Sequence, residues 1–254
     1  MRQARREWHD TLHTTLAAVD FLPSSADPSL FVRHGSTPFF VLVYVDDLVF
    51  ATLDRHALAS VKEELQRRHN CTDLGELQRY LGLQITRDRA ARTIMLTQSR
   101  MVEQILTQFR FPFSKVQPTP LAVGHGLTAP HSDEPFYVLA RFVALGRHRP
   151  SHWYTAKRVA KYVASTSSMG LVFGGKQPVT LTGFSDSSWA DDVETRWSTQ
   201  GYSLSLGTGA VLWRSTWASS VFGSSCEVEV YAMAMATQEL RWLSFLLTDL
   251  VLVD

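Results

Sequence analysis

The stretch that decides the fold is FFVLVYVDDLVFA, residues 39–51. Its apolar residues are mostly β-branched or aromatic, which is typical of buried strands, and two adjacent carboxylates interrupt the run. The pattern predicts two strands joined by a hairpin turn at or near Asp46 and Asp47, where neighbouring side chains can converge. Two explanations fit these aspartates. They share a divalent cation such as Mg²⁺, which neutralises crowded like charges, or they are solvated at a hairpin tip, because Asp favours turns.

An ordered series of motifs surrounds this hairpin. The series comprises Trp8, Leu12, Leu16 and Phe21, then SADPSLF at residues 25–31, DLGEL at 73–77, YLGL at 80–83 and TPL at 119–121. Its order and spacing resemble the reverse transcriptases of copia-type LTR retrotransposons, whose YxDD signature corresponds to Tyr44-Val45-Asp46-Asp47. The resemblance implies that Asp46 and Asp47 are catalytic ligands of Mg²⁺ and that the partner is an RNA template.

Composition and charge indicate a globular protein without a strong overall attraction to nucleic acid. The 254 residues carry a formal net charge of +1 and two cysteines, so neither a strongly basic surface nor a disulfide framework is expected. No apolar run approaches the roughly 20 residues that span a bilayer, and the first residues lack a signal-peptide core. These features predict an intracellular protein without a membrane partner, and they leave open the cytoplasm or the nucleus and the oligomeric state.

A basic stretch lies between residues 141 and 161. It contains no acidic residue, which fits either a solvated face or a track that neutralises phosphates. The second explanation predicts a nucleic-acid interface, with an RNA–DNA hybrid as the partner that the family resemblance implies. The basic residues concerned are Arg141, Arg147, Arg149, Lys157, Arg158 and Lys161.

Periodicity predicts the other elements of the first half. Trp8, Leu12 and Leu16 lie on one face of a helix that ends before Pro23. Asp54 can cap a second helix with an apolar stripe, because its side chain can accept the first free backbone N–H groups. The further predicted elements are strands at 81–86 and 93–96, a helix capped by Thr97, a linker within 112–133, and a helix at 151–163.

A second constellation begins with LTGFSDSSWA, residues 181–190. It predicts a short strand with Asp186 at its end, then strands at 201–206 and 210–213, and a helix from about Ser225 to Leu247. This order, together with SSCEVEVYA at 224–232, resembles the opening half of the ribonuclease H fold. The resemblance implies catalytic, metal-binding roles for Asp186 and Glu229. Glu227 is interpreted instead as a first-turn carboxylate that the helix dipole stabilises.

The two resemblances predict an α+β protein, in which a palm-type reverse transcriptase fragment precedes a truncated ribonuclease H-like mixed sheet with one long helix. The predicted segments are 1–121 for the reverse transcriptase part, 122–150 for a linker with an internal deletion, 151–179 for a connection helix region, and 180–254 for the ribonuclease H-like part.

Both predicted active sites hold fewer carboxylates than the chemistry of the family uses. Two-metal phosphoryl transfer needs carboxylates on both sides of the metal pair. The resemblance implies a further Asp upstream of residue 1 and a third ribonuclease Asp beyond residue 254. The prediction is therefore an inactive fragment of a retrotransposon polymerase and ribonuclease H. The alternative is a non-catalytic nucleic-acid-binding protein derived from a retrotransposon.

Overall fold

The structure is a computed structural model that describes residues 2–109, 117–120, 150–176, 178–192 and 195–250. Helices and strands both occur throughout these residues, so the α+β expectation is confirmed. In chain order the elements are α1 (Arg2–Ala17), β1 (Leu22–Pro23), β2 (Leu30–Arg33), β3 (Phe39–Tyr44), β4 (Asp47–Thr52), α2 (Arg55–Arg68), β5 (Arg79–Tyr80), β6 (Leu83–Asp88), β7 (Thr93–Thr97), α3 (Ser99–Phe109), α4 (Pro150–Ser165), β8 (Leu171–Gly174), β9 (Leu181–Ser188), β10 (Thr199–Leu206), β11 (Gly209–Trp217) and α5 (Ser225–Asp249).

The described residues form two compact units. One unit contains residues 2–77 and 237–250, and the other contains the described residues between 78 and 236. The second boundary falls inside α5, whose later turns belong to the first unit. The predicted segment boundaries at 121, 150 and 179 stay predictions, and most of the predicted linker lies outside the described residues.

The first unit contains an antiparallel sheet with the strand order β1-β2-β3-β4. Along β3, Phe39, Val41 and Val43 are buried, whereas the residues between them are half-buried. This alternation is the result of strand geometry, since successive side chains point to opposite faces of the sheet. The buried face packs with α1 and α2 into one core. The other members of this core are Leu12, Leu16, Phe21, Phe31, Val61 and Leu65.

Helix α2 begins where the sequence predicts. The Asp54 side chain accepts hydrogen bonds from the backbone N–H of His56 at 3.0 Å and of Ala57 at 2.9 Å. These bonds satisfy donors that have no partner within the helix, so the predicted cap is confirmed. Val61 and Leu65 are buried in the core, which fixes the side of the helix that faces the sheet.

The second unit contains two antiparallel sheets, ordered β5-β6-β7-β8 and β11-β10-β9. The predicted strand pair is confirmed as β6 and β7, and β10 and β11 form the predicted hairpin with a turn at Gly207 and Thr208. The predicted cap at Thr97 is wrong. Thr97 is the last residue of β7, where it pairs with Gln84, so Gln98 precedes the first residue of α3.

Candidate active site

The aspartates of the hairpin lie at its tip, as the sequence predicts. Strands β3 and β4 pair as far as Tyr44 and Asp47, which leaves Val45 and Asp46 as a two-residue turn. Val45 has a φ of 54°, and Asp46 is not among the residues with positive φ. Positive φ at the first central residue alone is the pattern of a type II′ turn, which twists in the sense that a hairpin requires.

Both carboxylates of this turn are exposed to solvent. Asp46 belongs to the turn itself, while Asp47 is the first residue of β4. Their adjacency therefore comes from the covalent chain, and their exposure leaves their oxygens accessible to an ion from outside the protein. Exposed neighbouring carboxylates fit a magnesium ligand set, because Mg²⁺ is usually held by one or two carboxylates together with water and phosphate oxygens.

A tryptophan from α1 contacts the same turn. The indole Nε1 of Trp8 donates a hydrogen bond to the backbone oxygen of Val45 at 2.9 Å. The ring is partly buried against the core of the first unit, and its edge meets the ring of His69. The family resemblance names Trp8 as part of a motif but assigns it no role, so the sequence does not predict this contact.

Asp186 lies on an exposed face of the β9-β10-β11 sheet. The predicted position at the end of a short strand is corrected here, because β9 continues to Ser188. Asp186 pairs across the sheet with Gly201, which in turn pairs with Ser215. Because Gly201 has no side chain, no side chain at the paired position covers the Asp186 carboxylate.

The two glutamates at the start of α5 differ in their contacts. The Glu227 carboxylate accepts a hydrogen bond from the Gly223 N–H at 2.9 Å, and the Ser224 hydroxyl accepts one from the Glu227 N–H at 3.2 Å. This reciprocal arrangement resembles a capping box, so the interpretation of Glu227 as a helix-terminus carboxylate is confirmed. Glu229 is half-buried, one residue after the fully buried Val228.

A shared cation site for Asp186 and Glu229 stays a prediction. Within the described parts of the chain, no group of three or more His, Cys, Asp or Glu side chains is placed so that it could hold a metal ion. Each candidate site therefore rests on the pair of carboxylates that the sequence identified. Those pairs are Asp46 with Asp47, and Asp186 with Glu229.

The structure describes only residues 150–161 of the basic stretch at 141–161. Arg141, Arg147 and Arg149 lie outside the described residues. Arg158 donates from Nη1 to the Gln117 side chain at 2.8 Å and from Nη2 to the Thr119 hydroxyl at 2.9 Å. Its guanidinium thus connects α4 to the segment at 117–120. A phosphate would have to compete with these internal bonds for Arg158. Phosphate binding by Lys157 and Lys161 stays a prediction.

Lys157 also has a neighbour within the protein. Its Nζ lies 4.4 Å from the ring centroid of Tyr154, at a distance suited to a cation–π interaction. Nucleic-acid binding by this stretch remains a prediction. No helix in the described part of the chain has the length and apolar character needed to cross a bilayer.

The last turns of α5 make a contact that the sequence does not predict. The Asp249 carboxylate accepts hydrogen bonds from the Ser24 hydroxyl at 2.6 Å, the Ser25 N–H at 2.8 Å and the Ser25 hydroxyl at 3.0 Å. The hydrogen bond from Ser24 is the main reason why the pKa of Asp249 lies below its usual range. The Trp242 indole donates to the Ala26 oxygen at 2.9 Å, so α5 is attached to this loop at two points.

Comparison with known proteins agrees with the geometry of the hairpin. Residues 1–122 match the family model described as reverse transcriptase (RNA-dependent DNA polymerase). The chain is 28% identical to the retrovirus-related Pol polyprotein from transposon TNT 1-94 of Nicotiana tabacum, over 98% of this chain and 21% of that protein. It is 30% identical to the Pol polyprotein from transposon RE2 of Arabidopsis thaliana, over 98% of this chain and 19% of that protein.

A shorter and more similar match involves a differently named protein. The chain is 46% identical to the secreted RxLR effector protein 161 of Plasmopara viticola, over 37% of this chain and 67% of that protein. No solved structure matches the chain.

These matches relate the chain to retrotransposon polyproteins of the reverse transcriptase type. Residues 1–122 thus match the reverse transcriptase family, and nearly the whole chain is similar to copia-type retrotransposon Pol polyproteins. It spans about a fifth of the length of the two Pol polyproteins named above. Proteins of this family bind nucleic-acid templates and generally use divalent metals.

Proposed function

We propose that the hairpin formed by β3 and β4 is the metal-binding edge of a reverse transcriptase palm, with Asp46 and Asp47 as ligands of Mg²⁺. The observation that carries this proposal is the exposure of both carboxylates at the tip of an antiparallel hairpin, with Asp46 in the two-residue turn and Asp47 as the first residue of β4. When bound, the metal would neutralise phosphate charge and activate a hydroxyl nucleophile. The role of the protein residues is to supply negative oxygens and to hold them at one end of the hairpin.

The packing behind the turn supports this role. Phe39, Val41 and Val43 anchor β3 in the core, so the strand that leads to the turn has a fixed face and register. A rigid strand places a carboxylate more accurately than a free loop does. The exposed side of the tip then leaves room for a nucleic-acid substrate to approach.

We infer a second, ribonuclease H-like site in which Asp186 and Glu229 share a cation. The strand order β9, β10, β11 followed by α5 and the exposure of Asp186 support this assignment. It requires the two carboxylates to lie within about 8 Å, since metal–oxygen bonds of roughly 2.0–2.1 Å can bridge them only directly or through water. Addition of Mn²⁺ should therefore broaden the NMR signals of both residues together. Broadening at only one of them would remove the assignment.

We also propose that the chain alone does not extend a primer. The support is the number of ligands: the described residues bring no third acidic side chain to Asp46 and Asp47. Loss of one member of a catalytic group typically reduces the rate by orders of magnitude. With an RNA template and Mg²⁺ or Mn²⁺, we expect no template-dependent extension. Extension that disappears in an Asp46→Asn variant would contradict this proposal.

The metal site is tested separately from the activity. Mn²⁺ titration of the full chain should broaden the NMR signals of Asp46 and Asp47 first, because they are adjacent exposed carboxylates. Asp46→Asn should weaken this effect at least severalfold, since it removes one of two charged ligands. Asp10→Asn is the matched control, because Asp10 is an exposed carboxylate of the same unit outside the hairpin. Equal effects of the two variants would show that Mn²⁺ binds the surface without a defined site.

A further inference from the structure

The turn that carries Asp46 contains a residue poorly suited to it. Val45 is β-branched and has a φ of 54°, in the left-handed region that glycine tolerates best. A type II′ turn usually has glycine at this position. A turn of this kind persists only when surrounding contacts hold it in place.

One such contact reaches the peptide immediately before Asp46. The carbonyl oxygen of Val45 belongs to the peptide group that links Val45 to Asp46, and it accepts the hydrogen bond from the Trp8 indole at 2.9 Å. Fixing this oxygen limits rotation of that peptide plane. The direction in which the Asp46 side chain leaves the backbone is then limited as well.

Trp8 is itself held from two sides. It is packed against the core, and its ring meets the His69 ring edge-on at a centroid distance of 5.4 Å and an interplanar angle of 83°. His69 Nε2 lies 2.9 Å from the hydroxyl oxygen of Thr15, which is buried in α1. The indole therefore reaches the turn from a support built by α1 and the end of α2.

We propose that Trp8 is a positioning residue for the candidate metal-binding turn, acting through its hydrogen bond to the strained Val45 peptide. The inference rests on the proposed function of Asp46 and Asp47, because it assigns Trp8 to the support of that site. Trp8 touches neither carboxylate in this role. It reduces the set of orientations that the turn adopts, and accurate orientation is what a metal ligand set requires.

The test compares two tryptophan variants of the full chain. Trp8→Phe keeps a large ring in place and removes the N–H donor. Trp242→Phe is the matched control, because it removes an indole bond of the same length, 2.9 Å, to a backbone oxygen elsewhere in the same unit. Amide hydrogen exchange at residues 44–47 and Mn²⁺ broadening of Asp46 and Asp47 are measured by NMR for both variants.

Trp8→Phe should accelerate exchange at residues 44–47 roughly fivefold, which is the effect expected from one net hydrogen bond. It should also weaken Mn²⁺ binding by a similar factor, while Trp242→Phe changes neither at equal global stability. Unchanged exchange at the turn in Trp8→Phe would overturn the proposal. If the native chain binds no Mn²⁺, the metal assignment fails, but the exchange comparison still decides the role of Trp8.

A second variant tests whether the indole hydrogen bond acts on the strained turn. Val45→Gly removes the unfavourable side chain at positive φ, so the turn needs less support. The effect of Trp8→Phe on turn exchange should therefore be smaller in the Val45→Gly background, as a double-mutant cycle would measure. Equal effects in both backgrounds would show that the indole bond and the strained turn are independent, against the proposal.

Discussion

The hairpin at residues 39–52 and the three-stranded sheet at residues 181–217 support their candidate carboxylates in different ways. Behind the hairpin, Phe39, Val41 and Val43 are buried in a packed core. In the other sheet, alternation places Phe184 on the same face as Asp186, and its surface is 68% exposed. The first pair of aspartates is thus held by a buried strand, whereas Asp186 lies on an open aromatic face.

This comparison shows that burial decides how much a phenylalanine contributes to the stability of the protein. Phe39 and Phe184 are both phenylalanines in strands, but only Phe39 is surrounded by other side chains. Changes in the hairpin should therefore alter the stability of the protein. Changes on the face that carries Asp186 should alter its surface properties instead.

The largest expected effect on stability comes from a substitution in the core behind the hairpin. Phe39→Ala should lower the free energy of unfolding by about 3–5 kcal/mol, because it removes a fully buried ring and leaves a cavity. Urea unfolding monitored by circular dichroism measures this loss. If the protein no longer folds, Phe39→Leu should give the same result in weaker form.

Phe184→Ala is the matched control for that prediction. Its ring is mostly exposed, so the change should stay within about 0.5 kcal/mol. A loss at Phe184 as large as that at Phe39 would mean that the face bearing Asp186 is packed in solution, and the contrast between the two regions would disappear.

A smaller effect concerns the attachment of α5 to the unit that contains the hairpin. Asp249→Asn weakens the bonds from Ser24 and Ser25, and we expect a loss of about 1 kcal/mol near neutral pH. Since the pKa of Asp249 is lower in the folded protein than in the unfolded one, its stabilisation is fully present above the unfolded pKa. It is then lost as the pH falls through the folded pKa.

The measurement is urea unfolding of the native chain and of Asp249→Asn between neutral and acidic pH. The free energies of unfolding of the two proteins should converge as the pH falls. Protonation of Asp249 removes its negative charge from the native chain, and the substitution removes the same charge from the variant. Glu239→Gln, on the same helix, is the control. A constant difference between native and Asp249→Asn at all pH values would show that the charge is not involved.

The smallest effect is expected at Glu64 in α2. Hydrogen bonds from the Arg67 side chain, and then from Arg68, lower the pKa of Glu64 to about 2. The contribution of this group is present above its unfolded pKa near 4.5 and is lost only as the pH approaches 2. Because Glu64 keeps 24% and Arg67 keeps 67% of the side-chain surface accessible, added salt should screen part of the contribution.

An NMR pH titration of the Glu64 carboxylate checks this prediction at low and at high salt. The midpoint should rise towards the ordinary Glu value in high salt. A midpoint that stays near 2 in both would indicate that the hydrogen-bond geometry, rather than the charge of the arginines, controls the pKa.

Much of the fold follows from local sequence rules. The hairpin, the Asp54 cap and the Glu227 helix terminus are each decided by residues close together in the chain, so the pattern is sufficient to predict them. The local rules failed at Thr97, where pairing with Gln84 extended a strand through a residue that also suits a cap. They also ended the strand of Asp186 too early, because pairing with β10 continues to Ser188.

The sequence by itself identified the candidate carboxylates and the resemblance to the family, since both depend on residue types at fixed spacing. Only the tertiary structure decided which groups far apart in the chain meet. Trp8 meets Val45 across 37 positions, and Asp249 meets Ser24 across 225. Trp8 bonds to a backbone oxygen, and every residue carries one. No pattern of side chains can therefore predict which backbone oxygen accepts the hydrogen bond from an indole. The partner is fixed only when the chain folds.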